Sequence, residues 1–326
     1  MKLHLDLNMN PTSSKIVYAF LIFLCFHNVV QAQDDLFALL EKSAPDVPNY
    51  TQATFKANRL LITQSVETRR KNTLEINVIT KYWNTPEQTT NSFGADRVNT
   101  RFGIDYSFSD RFTAGFGVGT FDGTFNLLGK YRLVRQRADK KGAGIGITLV
   151  QSSSYLTRSF NHVILPEDSS ERFSFASQVI FAKKVDRNLS LQITPTYVHR
   201  TSQQFEPDGD DNNHFAVGFG ARYKLGGHVS IASEYYYVAN RVDGIHAFDP
   251  FAIGVNWEVS DLILQFSLTN TRSFDEPTNI TLTTQNFNFR DGNLHIGVSG
   301  TYVLHFNNKK KRSAKKLRKQ QKKASE

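Results

Sequence analysis

Between Thr73 and Phe306 the chain repeats one device twelve times: a stretch of alternating apolar and polar side chains, closed off by Gly, Asn, Asp or Ser. Successive side chains of an extended chain point to opposite sides, so each stretch is a strand with two unlike faces. The twelve run approximately over 73–83, 97–108, 111–120, 124–135, 143–152, 173–185, 188–200, 213–225, 228–240, 250–259, 261–271 and 293–306. Helical periodicity is almost absent from this region. In one strand Phe215, Val217, Phe219, Ala221, Tyr223 and Leu225 share a face, opposite Ala216, Gly218, Gly220, Arg222 and Lys224. In another, Phe251, Ile253, Val255, Trp257 and Val259 stand against Ala252, Gly254, Asn256 and Glu258.

A two-faced strand suits a soluble barrel with the apolar face inward, or a membrane barrel with that face toward lipid. Three features favour lipid. The last strand keeps its alternation from Leu294 to Phe306, long enough for the roughly 9–11 tilted residues that cross a bilayer. The apolar faces carry aromatics toward the strand ends, among them Tyr82, Phe108, Phe112, Tyr131, Phe173, Tyr197, Tyr223, Tyr237 and Tyr302, as interfacial girdles require. Short links at Ser109-Asp110, Asp186 to Asn188, Gly226-Gly227 and Ser260-Asp261 alternate with long ones near 84–96, 153–172, 201–212, 241–249 and 272–292, the link 121–123 being an exception. The mean hydropathy of −0.38 is no objection, because half of every barrel strand is polar. The expected fold is an all-β, antiparallel transmembrane barrel of about twelve strands over 73–306. An even number of strands puts both barrel ends on one side of the membrane.

The N-terminal region sets the expected compartment. Lys15 precedes an apolar run from Ile16 to Phe26, and Val30-Gln31-Ala32 then supplies small residues for cleavage, so residues 1–32 read as a signal peptide. The single cysteine, Cys25, is removed with it, which leaves no thiol chemistry in the mature protein. Residues 33–72 read as a periplasmic or lumenal segment, and the stretch from Thr54 to Lys71 has the ingredients of a strand or of a piece tucked into the lumen.

Residues 307–326 hold ten of the 39 basic residues and one of the 30 acidic ones, so the rest of the chain balances at 29 against 29. The high isoelectric point therefore describes a disordered basic tail and not a basic face on a fold, and nucleic acid is not an expected partner. Expected partners are outer-membrane lipid, the barrel-assembly machinery, and an anionic periplasmic surface reached by the tail. Phe306 closes the last strand and is the candidate assembly signal of an outer-membrane barrel. The glycine of such a signal falls at Gly300 instead of at Thr301.

The stretches Thr54 to Arg59, Ser65 to Thr68, Leu74 to Val78, Arg101 to Gly117 and Lys130 to Gln136 resemble a family of exported β-barrel proteins of unknown function, found chiefly in Bacteroidetes. After Lys81 the pair Tyr82-Trp83 replaces an arginine-phenylalanine pair of that family. The resemblance implies a barrel fold and an outer-membrane location and supplies no catalytic residue.

Chemistry is sparse. His228 and Ser230 have the spacing of an outer-membrane phospholipase pair, but they follow a tight turn and share the polar face, so a hydrogen-bonded rim histidine is the favoured reading. The acids between Glu206 and Asn213 fail the EF-hand pattern, and a protease-like use of Asp210, Asp211 and His214 has no further support. No catalytic residue, metal ligand or cofactor is expected. The polar faces do gather Glu75, Lys81, Arg101, Asp105, Lys130, Arg132, Arg222, Lys224, Glu234 and Glu258 as a lumen-lining set. Such groups either pair with one another or form a constriction that selects small polar or anionic solutes. The leading expectation is a narrow pore or small-solute transporter without catalysis. A non-conducting scaffold acting through loops and tail comes second, and a lipid hydrolase third.

Overall fold

The computed structural model describes residues 48–83, 96–139, 141–159, 164–202, 212–242, 245–287 and 294–306. The segment expected as a signal peptide, the acidic stretch 206–211 and the basic stretch 307–326 lie outside them. Twelve strands follow in chain order: β1 (Thr73–Trp83), β2 (Arg97–Ser107), β3 (Phe112–Gly119), β4 (Thr124–Val134), β5 (Gly146–Leu156), β6 (Phe173–Lys184), β7 (Leu189–Arg200), β8 (Asn213–Lys224), β9 (Val229–Val238), β10 (Phe251–Val259), β11 (Leu262–Thr269) and β12 (His295–His305). Each pairs antiparallel with its neighbours in sequence, and β1 pairs with β12 from Thr73↔His305 to Tyr82↔Ile296, which closes the barrel. Closure satisfies every edge, as a sheet in hydrocarbon requires.

The two faces are distributed as in a membrane barrel. Phe102 and Leu127 are 55% and 60% exposed on the outer face, whereas Glu75, Arg101 and Lys130 are at most 2% exposed inside. A soluble protein would reverse that arrangement.

The end that carries Thr73 and His305, called here the terminal end, is made of compact turns. Ser109 Oγ accepts from the amide of Phe112 at 2.9 Å, and Asp186 Oδ1 accepts from those of Asn188 and Leu189 at 2.6 and 2.8 Å. These side chains replace ladder partners where the chain reverses. The β4–β5 connection, 135–145, is the long exception at this end. The opposite, long-loop end has its own exception at Phe121–Gly123, where Gly123 adopts φ +60°.

The strand expected over 143–152 is displaced: β5 runs from Gly146 to Leu156. Ser152, Ser153 and Ser154 make both faces polar and hide the alternation, yet Ser152 and Ser154 point inward and pair with Leu128 and Asn126 of β4. The segment expected as a long outer connection after β11 also differs. Around 270–285 it turns into the lumen and carries a short helix, α1 (Glu276–Thr281), all of whose residues are buried. Asp275 caps α1 by accepting from the amide of Thr278 at 3.1 Å.

Candidate functional site

The lumen is filled by two segments entering from opposite ends. From the terminal end, residues 50–72 form a hairpin. Tyr50 bridges to Arg137, the Thr51 amide donates to Gln136 O at 2.8 Å, and Lys184 Nζ donates to Gln52 O at 3.0 Å. The hairpin doubles back at Leu60–Thr63, where the Leu60 amide donates to Thr63 O at 2.9 Å, and leaves through Asn72, whose amide donates to Ser107 O at 2.8 Å. Phe55, Leu60, Ile62 and Val66 are buried, with Phe55, Leu60 and Val66 packed on Leu128, Val150 and Ile180 of the wall. That apolar content explains why the segment enters the barrel, since water at the mouth would leave it exposed.

Glu234, on β9, receives the tip of the hairpin. Its carboxylate accepts from the amides of Leu61 and Ile62 at 3.0 and 2.7 Å, from the amide of Thr63 at 3.2 Å and from Thr63 Oγ1 at 2.6 Å. A reversing chain leaves these amides without ladder partners, and one buried carboxylate serves all three. Tyr236 lies beside it with Oη 2.6 Å from Thr63 Oγ1. Its ring covers the Gly218 position on β8, where a Cβ would meet the ring at 2.6 Å.

Several other charged wall residues also turn toward the hairpin. Glu75 takes Arg69 and Asn58, Lys130 Nζ donates to Asn58 O at 2.9 Å, and Arg132 Nη2 meets Glu67 Oε2 at 2.6 Å. Glu258 binds Lys56 of the hairpin at 2.7 Å and Arg222 of the wall at 3.2 Å. Arg101 donates to Asn77, which in turn donates to Asp105 at 3.1 Å. Lys224 stands partly exposed at the terminal rim. The ten lumen-lining residues thus lie on the inner face or its rim. Most of their partners belong to the inserted hairpin, and pairing within the wall includes Arg222 with Glu258 and Ser230, and Arg101 and Asp105 through Asn77.

The long-loop end is closed by the 270–285 stopper. Lys81 Nζ donates to Thr271 Oγ1 at 2.8 Å and to the carbonyl of Ser273, with the ring of Phe274 4.8 Å away. Arg200 Nη2 donates to Thr281 Oγ1 at 2.9 Å. Asp122, in the short β3–β4 link, accepts from Asn99 at 3.2 Å and from Thr124 Oγ1 at 2.9 Å. Its Oδ2 lies 2.5 Å from Ser273 Oγ, which is 2.6 Å from Asp275 Oδ1. Burial, followed by the neighbouring Asp275 carboxylate, pushes the Asp122 carboxyl above its ordinary value. The two inserted segments meet at mid-lumen, where Arg59 contacts Glu276 and donates to Phe274 O at 2.9 Å.

Charged residues absent from the sequence-derived set are therefore Lys56, Arg59, Glu67, Arg69, Asp122, Asp275 and Glu276, outside the strands, and Arg200 at the end of β7. The apolar content of the hairpin was a usable signal, and so was Phe274 with Ile280 around the Asp275 cap. His228 and Ser230 do not form a pair directed at lipid: Ser230 is buried in the lumen with Oγ accepting from Arg222 at 3.0 Å, and His228 is exposed in the turn.

A closed barrel with an apolar exterior and a polar, self-filled interior defines an integral membrane β-barrel. Residues 55–304 match the family model described as membrane bound beta barrel domain (DUF5777), and the chain belongs to that family. No curated protein matches it. Among solved structures it is similar to a NanC porin, at 10% identity and TM-score 0.45 over 71% of this chain and 99% of that one. It is similar too to a KdgM porin, at 9% identity and TM-score 0.43 over 72% and 99%.

Proposed function

We propose that the protein is an outer-membrane channel or transporter for small polar solutes that rests shut, with the terminal end facing the periplasm, and that it performs no catalysis. The observation that carries this reading is the origin of the filling. The bore is lined by charge and by glycines, and what occupies it is two segments that enter from its ends. At Gly220 a Cβ would come within 2.7 Å of Leu60 Cδ2, and at Gly254 within 3.1 Å of Leu61 Cδ2. The wall is thinned where the hairpin passes, so withdrawing the hairpin leaves a polar passage behind.

A scaffold that never conducts is the second reading, favoured by the number of hydrogen bonds that Glu234 accepts from the tip. Planar-bilayer recording separates the two. The intact refolded chain should show rare, small openings, and Glu234→Ala should raise open probability at unchanged single-channel size. Silence from both, in protein with heat-modifiable gel mobility, would leave the scaffold. Catalysis on lipid has the weakest support, given the positions of His228 and Ser230.

Assembly in the outer membrane would use Phe306, which stands 54% exposed at the terminal rim with its amide donating to Asn72 O at 3.0 Å. The basic tail is assigned to an anionic periplasmic surface, and deleting it should change membrane fractionation without changing the heat-modified gel shift.

A further inference from the structure

The lumen wall is not uniform. Charge is concentrated on β1–β4 (Glu75, Lys81, Arg101, Asp105, Lys130, Arg132) and on β8–β10 (Arg222, Glu234, Glu258). Between them, the inner positions of β5, β6 and β7 are Thr, Ser, Gln and apolar residues, the latter including Val150 and Ile180 under the hairpin, with Arg200 at the long-loop end of β7 and Lys184 at the opposite rim of β6.

Against this neutral wall lies α1. Ile280 packs on Ala176 and Val198, and Thr281 is held by Arg200. Beyond the Arg200–Thr281 bond, polar atoms on both sides go unmet. Ser152 Oγ, Gln178 Oε1 and both polar atoms of the Asn279 side chain have no hydrogen-bond partner, although Ser152, Gln178 and Asn279 are 0%, 2% and 1% exposed. Glu276 Oε2 and Asn126 Oδ1 are in the same condition. A buried polar group without a partner destabilises the arrangement that buries it. Unmet atoms occur on the charged walls too, at Arg101 Nε, Asp105 Oδ1 and Arg132 Nε, but where the stopper meets β5–β7 the unmet wall atoms are those of neutral hydroxyl and amide groups.

We infer that the β5–β7 wall is the solute site, that it takes neutral, hydroxyl-rich solutes such as sugars and polyols, and that α1 is its displaceable occupant. Hydroxyl groups both donate and accept, which suits a mixture of unmet serine, glutamine and asparagine atoms. A carboxylate offers acceptors only and would face Gln178 Oε1 and Asn126 Oδ1 unfavourably. This inference rests on the reading of the barrel as a solute conduit, and it narrows the solute class.

Glucose and glucuronate share a ring and differ by one charge. Refolded full-length protein in proteoliposomes should swell roughly tenfold faster in glucose than in glucuronate, the ratio expected for one hydrogen bond gained by a buried group. Hydrogen exchange at 276–283 should accelerate in glucose and not in equimolar glucuronate, while the barrel strands stay protected. Asn279→Leu, which removes the unmet amide, should reduce both responses. Faster swelling in glucuronate would overturn the neutral-solute assignment and leave the conduit standing. Glucose-specific exchange without any swelling would keep the site and remove the conduit. No glucose-specific change in exchange or swelling, or an identical response from Asn279→Leu, would sink the inference.

Discussion

Arg59 Nη1 lies 3.0 Å from Glu276 Oε1, and this ion pair joins the hairpin to the stopper in the middle of the lumen. Gln64 Nε2 donates to the same oxygen at 3.0 Å, and Arg59 Nη2 donates to the carbonyls of Ile62 and Phe274, both at 2.9 Å. Glu276 is fully buried and the Arg59 side chain is 10% exposed. A pair in this setting is weak as a source of net stability, but removing one partner strands the other charge. Each segment therefore holds the other shut.

Arg59→Ala and Glu276→Ala should each destabilise the closed lumen by about 3–5 kcal/mol, and the double variant should cost clearly less than the sum. Heat-modified gel mobility across a denaturant series measures this. Additive losses would mean that the two segments are held independently.

Glu234→Gln preserves shape while removing the charge that three amides share. Hydrogen bonds to a charged acceptor contribute about 1.5–3 kcal/mol each, so the hairpin tip should loosen far more than the barrel. Limited proteolysis from the terminal side should cut within 50–72 in Glu234→Gln and leave the strands intact. A cleavage pattern equal to wild type would show that apolar packing of Phe55, Leu60 and Val66 holds the hairpin unaided.

The strands were legible because most inward positions are polar or small and most outward ones apolar, a contrast that membrane burial favours along the whole chain. Where both faces are polar, at Ser152–Ser154, the signal fails, and the alternation ends before β5 does. The ten lumen residues were legible as a face, since facing follows from parity. Their partners were not. Arg132 meets Glu67 from 65 positions away, through a hairpin whose depth in the barrel no local pattern specifies. The stopper was read as an outer connection because a polar stretch such as Asp275–Thr281 looks solvated until its partners, Lys81, Asp122 and Arg200, are in place.

The Asp122–Ser273–Asp275 contact makes the stopper sensitive to rising pH. A serine hydroxyl has one proton and can donate to only one of the two carboxyl oxygens beside it, so the second contact needs a proton held on an acid. Burial raises the Asp122 carboxyl and so holds that proton on Asp122, while Asp275 accepts the α1 cap amide. A carboxyl raised in the folded state binds more protons there than in the unfolded chain. Its contribution is full below the ordinary 3.8 and is lost as pH climbs from there through the raised value. Hydrogen exchange across 270–283 should therefore accelerate as pH rises through that window, after correction for intrinsic exchange, and Asp122→Asn should flatten the response. A wild-type profile that instead tightens with pH would assign the proton elsewhere.

Three lumen glycines should respond differently to a single methyl group, because different atoms oppose them. At Gly254 a Cβ would sit 2.5 Å from the Phe266 carbonyl oxygen, part of the neighbouring strand's backbone. Gly254→Ala should therefore strain the wall itself and cost about 1–3 kcal/mol, as overpacking does. At Gly220 the opposing atom is Leu60 Cδ2 at 2.7 Å, on the hairpin. Gly220→Ala should push the hairpin and raise its protease sensitivity while the barrel keeps its heat-modified mobility. At Gly297 the nearest atom is the Ser267 hydroxyl oxygen, with Ser267 Cβ at 3.7 Å, and rotation of that hydroxyl makes room. Gly297→Ala should be near neutral. The order Gly254, Gly220, Gly297 in barrel melting separates a wall that carries the stability from a filling that can leave it, and equal melting losses at Gly254 and Gly220 would make hairpin and wall one cooperative unit.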